Sequence, residues 1–121
     1  VQYFCFFFFM DSCLFCQILE GNIPAKKVFE DDQVLAFYDI NPKAKTHILI
    51  IPKKHIESGL TTTKEDELVL GHLFLVAKKI AQEQGIEGYK LLMNVGEKGG
   101  QVIFHVHLHL LAGGEIDLKN C

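Results

Sequence analysis

One stretch constrains this chain more than any other: FHVHLHLLAGG, residues 104–114. His105, His107 and His109 alternate with Val106 and Leu108, and Leu110 and Leu111 follow. Strict alternation is the periodicity of a strand, in which successive side chains point to opposite faces. The pattern predicts a last strand, VIFHVHLHLL, with three imidazoles on one face, about 6.6 Å apart. Val106, Leu108 and Leu110 then face a core. Such a strand is buried on one side and polar on the other. A single exposed histidine would carry no chemical implication; three in register beside a glycine-rich turn do. One metal ion on all three is excluded, because His105 and His109 would lie about 13 Å apart while zinc–nitrogen bonds are near 2 Å. The remaining chemical reading is one nucleophilic imidazole oriented by its neighbours. Neutral imidazole attacks phosphorus well near pH 7, and its second nitrogen needs an acceptor, for which a neighbouring backbone carbonyl can serve.

The rest of the chain supplies a scaffold for that strand. With 121 residues it is one domain with a real core. Its net charge of −3, and its twelve lysines without one arginine, give no footprint for nucleic acid and no arginine clamp on phosphate. A nucleotide ligand is therefore expected to be small. The first nine residues, VQYFCFFFF, are apolar but too short to cross a bilayer, and they lack a signal peptide's basic flank. They read as a non-native or flexible hydrophobic leader to a single domain spanning residues 10–121, with Met10 as the natural start; the alternative is a native hydrophobic arm packing on a partner subunit.

Punctuation predicts a short N-terminal helix in DSCLFCQILEG, capped by Asp11 or Ser12 and stopped at Gly21. AKKVFED and QVLAFYDI form a hairpin around Asp31–Asp32. THILIIP, closed by Pro52, is a continuous apolar run and so a central strand. KEDELVLGHLFLVAKKIAQEQG is one long helix with acids in its first turn. Its apolar positions, including Leu68, Val69, Phe74, Val76, Ile80 and Ala81, are numerous enough to predict that little of it is wet. YKLLMNV is a strand, GEKGGQ a turn, and the histidine strand closes the order. Strand runs with helices set beside them predict an α+β fold with a five-stranded, mainly antiparallel sheet.

Four cysteines are too few and too close for a secreted disulfide scaffold of this length. Cys13 and Cys16 form a C-x-x-C, which alone reads as zinc ligation, redox chemistry or plain packing. Cys5 and Cys121 match no motif and read as incidental; His72, on the long helix, reads as structural.

HVHLHLL resembles the signature of the histidine triad family of nucleotide hydrolases and transferases. CLFCQILEGNIPAKKVFEDDQVLAFYDINPKAKTHILIIPKKHI and NVGEKGGQVIFHVHLHLL are similar to that family's frame in order and spacing, above all to its small purine-nucleotide-binding Hint branch. The resemblance implies a HIT-like fold and a set of roles. His107 would attack the α-phosphorus, His109 would contact the phosphate, and His105 and His47 would support the array. Asp39 would accept the ribose hydroxyls. Leu14, Phe15, Ile18, Phe37, Tyr38 and Ile40 would wall the base, and Asn94 would sit near phosphate and ribose. Backbone N–H groups of Gly99, Gly100 and Gln101 would meet the phosphate. It further implies structural zinc on Cys13, Cys16, His55 and His105, all present here, and a cytoplasmic (nuclear also allowed) homodimer with neither nucleic-acid nor membrane partners. The implied activity is hydrolysis of purine nucleoside phosphoramidates at AMP or GMP; dinucleoside polyphosphate hydrolysis and a non-catalytic nucleotide- or zinc-binding adaptor are the alternatives. Val102 stands where close members carry a serine, and the longer tail of close members, with its tryptophan, is missing or different.

Overall fold

A computed structural model of the chain describes residues 13–121; the expected leader, the start at Met10 and the candidate caps Asp11 and Ser12 lie outside them. The elements run α1 (Leu14–Leu19), β1 (Lys27–Glu30), β2 (Val34–Tyr38), β3 (Thr46–Pro52), α2 (Glu67–Glu83), β4 (Lys90–Leu92) and β5 (Leu108–Ala112). The five strands form one sheet in the order β1-β2-β3-β5-β4. Every neighbouring pair is antiparallel. This is the expected α+β architecture, with one long and one short helix.

The apolar run of β3 is continuous because it feeds two cores. Ile48 and Ile50 pack with Leu73, Val76, Ala77 and Ile80 of α2. Leu49 and Ile51 point to the other face, where Phe15 and Ile18 of α1 join Leu35 and Phe37. β3 is therefore buried on both sides, as a strand at the centre of a covered sheet must be. The turn after α1 is made by Gly21 at φ +83°, a conformation that costs a β-carbon.

Three expectations change. First, β5 begins at Leu108, so His105 and His107 lie in irregular chain with a bend at residues 103–105. The histidine side is not wet either: His105, His107 and His109 are all buried, the first two against Phe15 of α1 and the third against His47 and His107. Second, α1 is capped by the Cys13 sulfur, which accepts the Cys16 N–H at 3.3 Å. Third, α2 is not dry all round. A 3₁₀ turn over Lys64–Asp66 precedes it, and Leu68, Phe74 and Leu75 project into solvent.

Asp66 organises the entry to α2. Its buried carboxylate accepts the Thr63 N–H at 3.0 Å and the Lys54 ammonium at 2.7 Å. The Lys54 hydrogen bond is the largest influence holding this carboxyl below its ordinary range. A depressed folded-state value means that the stabilisation is complete above the unfolded carboxyl value of about 3.9 and is lost as pH falls through the folded one. Asp66→Ala should therefore cost about 1–2 kcal/mol at neutral pH. In urea titrations the gap between wild type and variant should narrow at acid pH; a gap that stays constant would exclude this role for the carboxylate.

Candidate functional site

Strand register aligns the histidines. Leu49 of β3 faces His109 of β5, and His47 lies two residues before Leu49 on the same side. Hydrogen-bond partners then assign the protons, starting from groups that can only donate or only accept. The Lys43 N–H donates to His47 Nδ1 at 3.0 Å, so His47 carries its proton on Nε2. That Nε2–H donates to His109 Nδ1 at 2.9 Å, which puts the His109 proton on Nε2. Asp39 Oδ2 lies farther from His47 Nε2, at 3.5 Å, and does not compete. His109 Nε2 is the one buried side-chain nitrogen or oxygen among the described residues without a partner.

His107 has the opposite tautomer. Its Nδ1–H donates to the His105 carbonyl at 2.7 Å, leaving a lone pair on Nε2. The rings of His107 and His109 are 5.0 Å apart between centroids. An orphan N–H donor and a bare imidazole nitrogen thus lie on adjacent rings. Both rings are held neutral. Burial pushes His109 down to about 4, with His107 and His47 adding to the effect, and burial lowers His107 against the opposing pull of its carbonyl bond.

Beside these rings is a cavity of about 210 Å³, lined by Leu14, Phe15, Ile18, Phe37, Tyr38, Asp39 and Ile40 among others. All seven were expected there from the sequence. The Phe15 ring stands edge-on to His107 at 5.0 Å, so the apolar wall and the imidazole touch. Asp39 takes the Asn41 N–H on Oδ1 at 2.8 Å. Pocket residues that the sequence did not single out are Ile23, Pro24, Ala25, Asn41, Leu49 and Ile103, whose apolar or loop character carries no distinguishing signal.

The glycine turn does not match its expectation. The N–H groups of Gly99, Gly100 and Gln101 donate to the carbonyls of Gly96, Glu97 and Gly96, leaving none of the three for an anion. The 3₁₀ turn closes these bonds internally, with Gly100 at φ +94°. Gln101 is buried and its amide pins backbone: Oε1 accepts the Gly96 N–H, and Nε2 donates to the Glu57 and Ile103 carbonyls. Asn94 is likewise engaged, donating to the Cys121 carbonyl at 3.0 Å. His72 pairs with Asp31 at 2.7 Å, away from the site.

A second cluster lies under α1. Ligand atoms of Cys13, Cys16, His55 and His105 all fall within 4.8 Å of one another. The His105 Nε2–H donates to the Pro52 carbonyl at 2.8 Å, which turns a bare Nδ1 toward the cluster. That nitrogen is 3.4 Å from Cys13 Sγ, 3.6 Å from Cys16 Sγ and 3.2 Å from His55 Nδ1. Tetrahedral zinc with bonds of 2.0–2.3 Å would separate such ligands by roughly 3.3–3.8 Å. The spacing therefore fits zinc, but Cys16 is disulfide-bonded in this structure; reduced to a thiolate, it would complete a donor set whose zinc would supply a closed structural crosslink between α1, the β3 exit and the histidine segment. Burial raises the Cys13 thiol above its ordinary value, a penalty that a bound cation would reverse.

The sequence matches the HIT domain family over residues 20–116. It is 46% identical over 104 residues to an uncharacterised HIT-like protein of Synechococcus elongatus, covering 85% of this chain and 91% of that protein. A solved HIT family hydrolase from Legionella pneumophila superposes with a TM-score of 0.84 at 47% identity, covering 91% of this chain and 100% of that one. A histidine triad nucleotide-binding protein from Candida albicans gives 0.74 at 36% identity, covering 82% and 73%.

The proton order has a direct spectroscopic signature. Long-range ¹H–¹⁵N spectra at about pH 7.5 should show His47 and His109 as neutral Nε2–H tautomers and His107 as Nδ1–H. A protonated His109 at that pH, or the reverse tautomer at His107, would overturn the assignment.

Proposed function

This chain belongs to the HIT domain family, and from that premise we propose that it is a purine nucleotide hydrolase, cleaving a P–N or acyl-phosphate bond at an AMP or GMP moiety. The observation that carries the reading is the pairing of a bare His107 Nε2 with the unpartnered His109 Nε2–H on the next ring. The base enters the apolar cavity, and Asp39 at its rim accepts the ribose hydroxyls. His107 Nε2 attacks the α-phosphorus in line, a nitrogen–phosphorus bond forms, and the bond to the leaving group breaks. Charge growing on the phosphoryl oxygens meets the His109 N–H, which is fixed before the reaction begins. Water then attacks the nucleotidyl-histidine, releasing the nucleotide and restoring the imidazole. Two steps replace one difficult one. The His105 carbonyl steadies the charge that develops on His107 as its Nε2 becomes bonded.

The proposal extends to zinc on Cys13, Cys16, His55 and His105, and to a homodimer in the cytoplasm. Thiol ligands suit a reducing compartment. Exposed Leu68, Phe74 and Leu75 on α2, and the three-residue edge strand β4, supply the kind of surface that a second copy covers. No helix among the described residues is long and apolar enough to cross a membrane.

Adenosine 5′-phosphoramidate is the discriminating substrate. Wild type should release AMP from it faster than from diadenosine polyphosphates. His107→Ala should lower turnover by about 10³-fold or more, and His109→Ala by roughly 10²–10³. No turnover by pure wild type would leave a nucleotide-binding adaptor as the better account. For the metal, untagged protein should carry close to one zinc per chain, and Cys13→Ser should fall below about a tenth of an equivalent; metal-free wild type would sink the zinc assignment.

A further inference from the structure

The segment after β5 returns to the histidines. Cys121 Sγ, one ring nitrogen of His47 and one of His109 lie within 4.8 Å of one another. We propose that Cys121 is a thiol modification site at which a low-molecular-weight disulfide, such as glutathione disulfide, closes the nucleotide site. This rests on the hydrolase reading above and adds a control point to it.

The position of Cys121 is built rather than accidental. Its carbonyl takes the Asn94 amide at 3.0 Å. The turn that carries it is tied down where the Asp117 N–H donates to the Lys43 carbonyl at 2.9 Å and the Asp117 carboxylate accepts the Lys119 N–H at 3.2 Å. The thiol itself is weakly held. It is a free, half-buried cysteine whose one thiol hydrogen bond among the described residues is a 3.6 Å contact to the Asp117 carbonyl. The independent second feature is His109, which is 5% exposed and presents Nε2–H to no acceptor. A polar adduct on Cys121 sits against the His47 and His109 rings, beside the space the phosphate would need.

The same three residues read poorly as a cation site. His47 carries its proton on Nε2 because Nδ1 already accepts from Lys43, and the His109 Nδ1 lone pair is taken by His47. A metal would have to break both bonds. A disulfide breaks neither. The Cys121 sulfur forms a bond to one sulfur of the reagent, the reagent's own S–S bond breaks, and the departing thiol takes up the proton that Cys121 gives. Cys121 is oxidised and the departing sulfur is reduced, so the disulfide is itself the oxidant and none other is needed. Lys43, Asp39 and Asp117 surround the thiol, and burial raises it above its ordinary value, so it reacts more slowly than a free thiol.

The test treats the full chain with glutathione disulfide. Intact mass and peptide mapping follow the adduct, and AMP release from the phosphoramidate follows activity. Activity should fall more than about tenfold in step with the Cys121 adduct and return with dithiothreitol. AMP should slow adduct formation. Cys121→Ser should stay within about twofold of wild type untreated and resist inhibition. Full Cys121 modification without loss of activity, no protection by AMP, or equal inhibition of Cys121→Ser would each overturn the proposal. If untreated wild type releases no AMP, the hydrolase reading fails separately, and protection by AMP still reports whether Cys121 borders a nucleotide site.

Discussion

His105 is the residue on which the site depends, through two hydrogen bonds in opposite directions. Its Nε2–H donates to the Pro52 carbonyl, and its own carbonyl accepts the His107 Nδ1–H. The first bond leaves Nδ1 bare toward Cys13, Cys16 and His55. The second leaves Nε2 bare on His107. One residue thereby fixes which nitrogen is bare on two rings, its own and that of His107. Because the ring is buried, with its value pushed down to about 4, it does not exchange these roles by taking up a proton at neutral pH. Each bond replaces a water partner lost on burial, and leaving either carbonyl unpaired would cost about 1–3 kcal/mol.

The sheet gives that residue its fixed address. Pro52 ends β3, the strand that is buried on both faces, and the Val106 N–H donates to the Ile56 carbonyl at 2.7 Å just beyond it. The irregular chain carrying His105 and His107 is therefore pinned to the exit of the most buried strand. α1 closes the arrangement from above, with the Phe15 ring 5.9 Å from His105, 5.0 Å from His107 and 5.7 Å from Phe37. The same aromatic ring forms cavity wall, core and cover, so packing and site cannot vary independently.

Much of this was legible in residues close in sequence. The Asp31–Asp32 hairpin, the central THILIIP strand and the long helix follow from period and punctuation. The walls of the cavity followed from the family frame. Where local reading failed, a tertiary contact had overridden it. Alternation over residues 105–109 reads as a strand, yet the bonds of His105 to Pro52 and of Val106 to Ile56 divert the chain before β5 begins. GEKGGQ reads locally as a turn, and that held; the anion cradle implied there by the family frame did not, because its amides are spent on its own carbonyls. Cys121 carried no signal, since its proximity to His47 and His109 arises only when the last turn docks on Lys43 and Asn94.

By itself the sequence determined which faces exist. Apolar and polar periods decide what is buried, and so set the sheet, its central strand and the two helices, because burial of apolar area follows directly from residue type. It also placed the chemistry-bearing residues in the family frame. Only the tertiary structure decided what each imidazole can do. A histidine's role depends on which nitrogen holds the proton, and that is dictated by partners distant in sequence: Lys43 with His47, His47 with His109, Pro52 with His105. Residue type supplies the ring; the direction of its lone pair is a property of the folded chain.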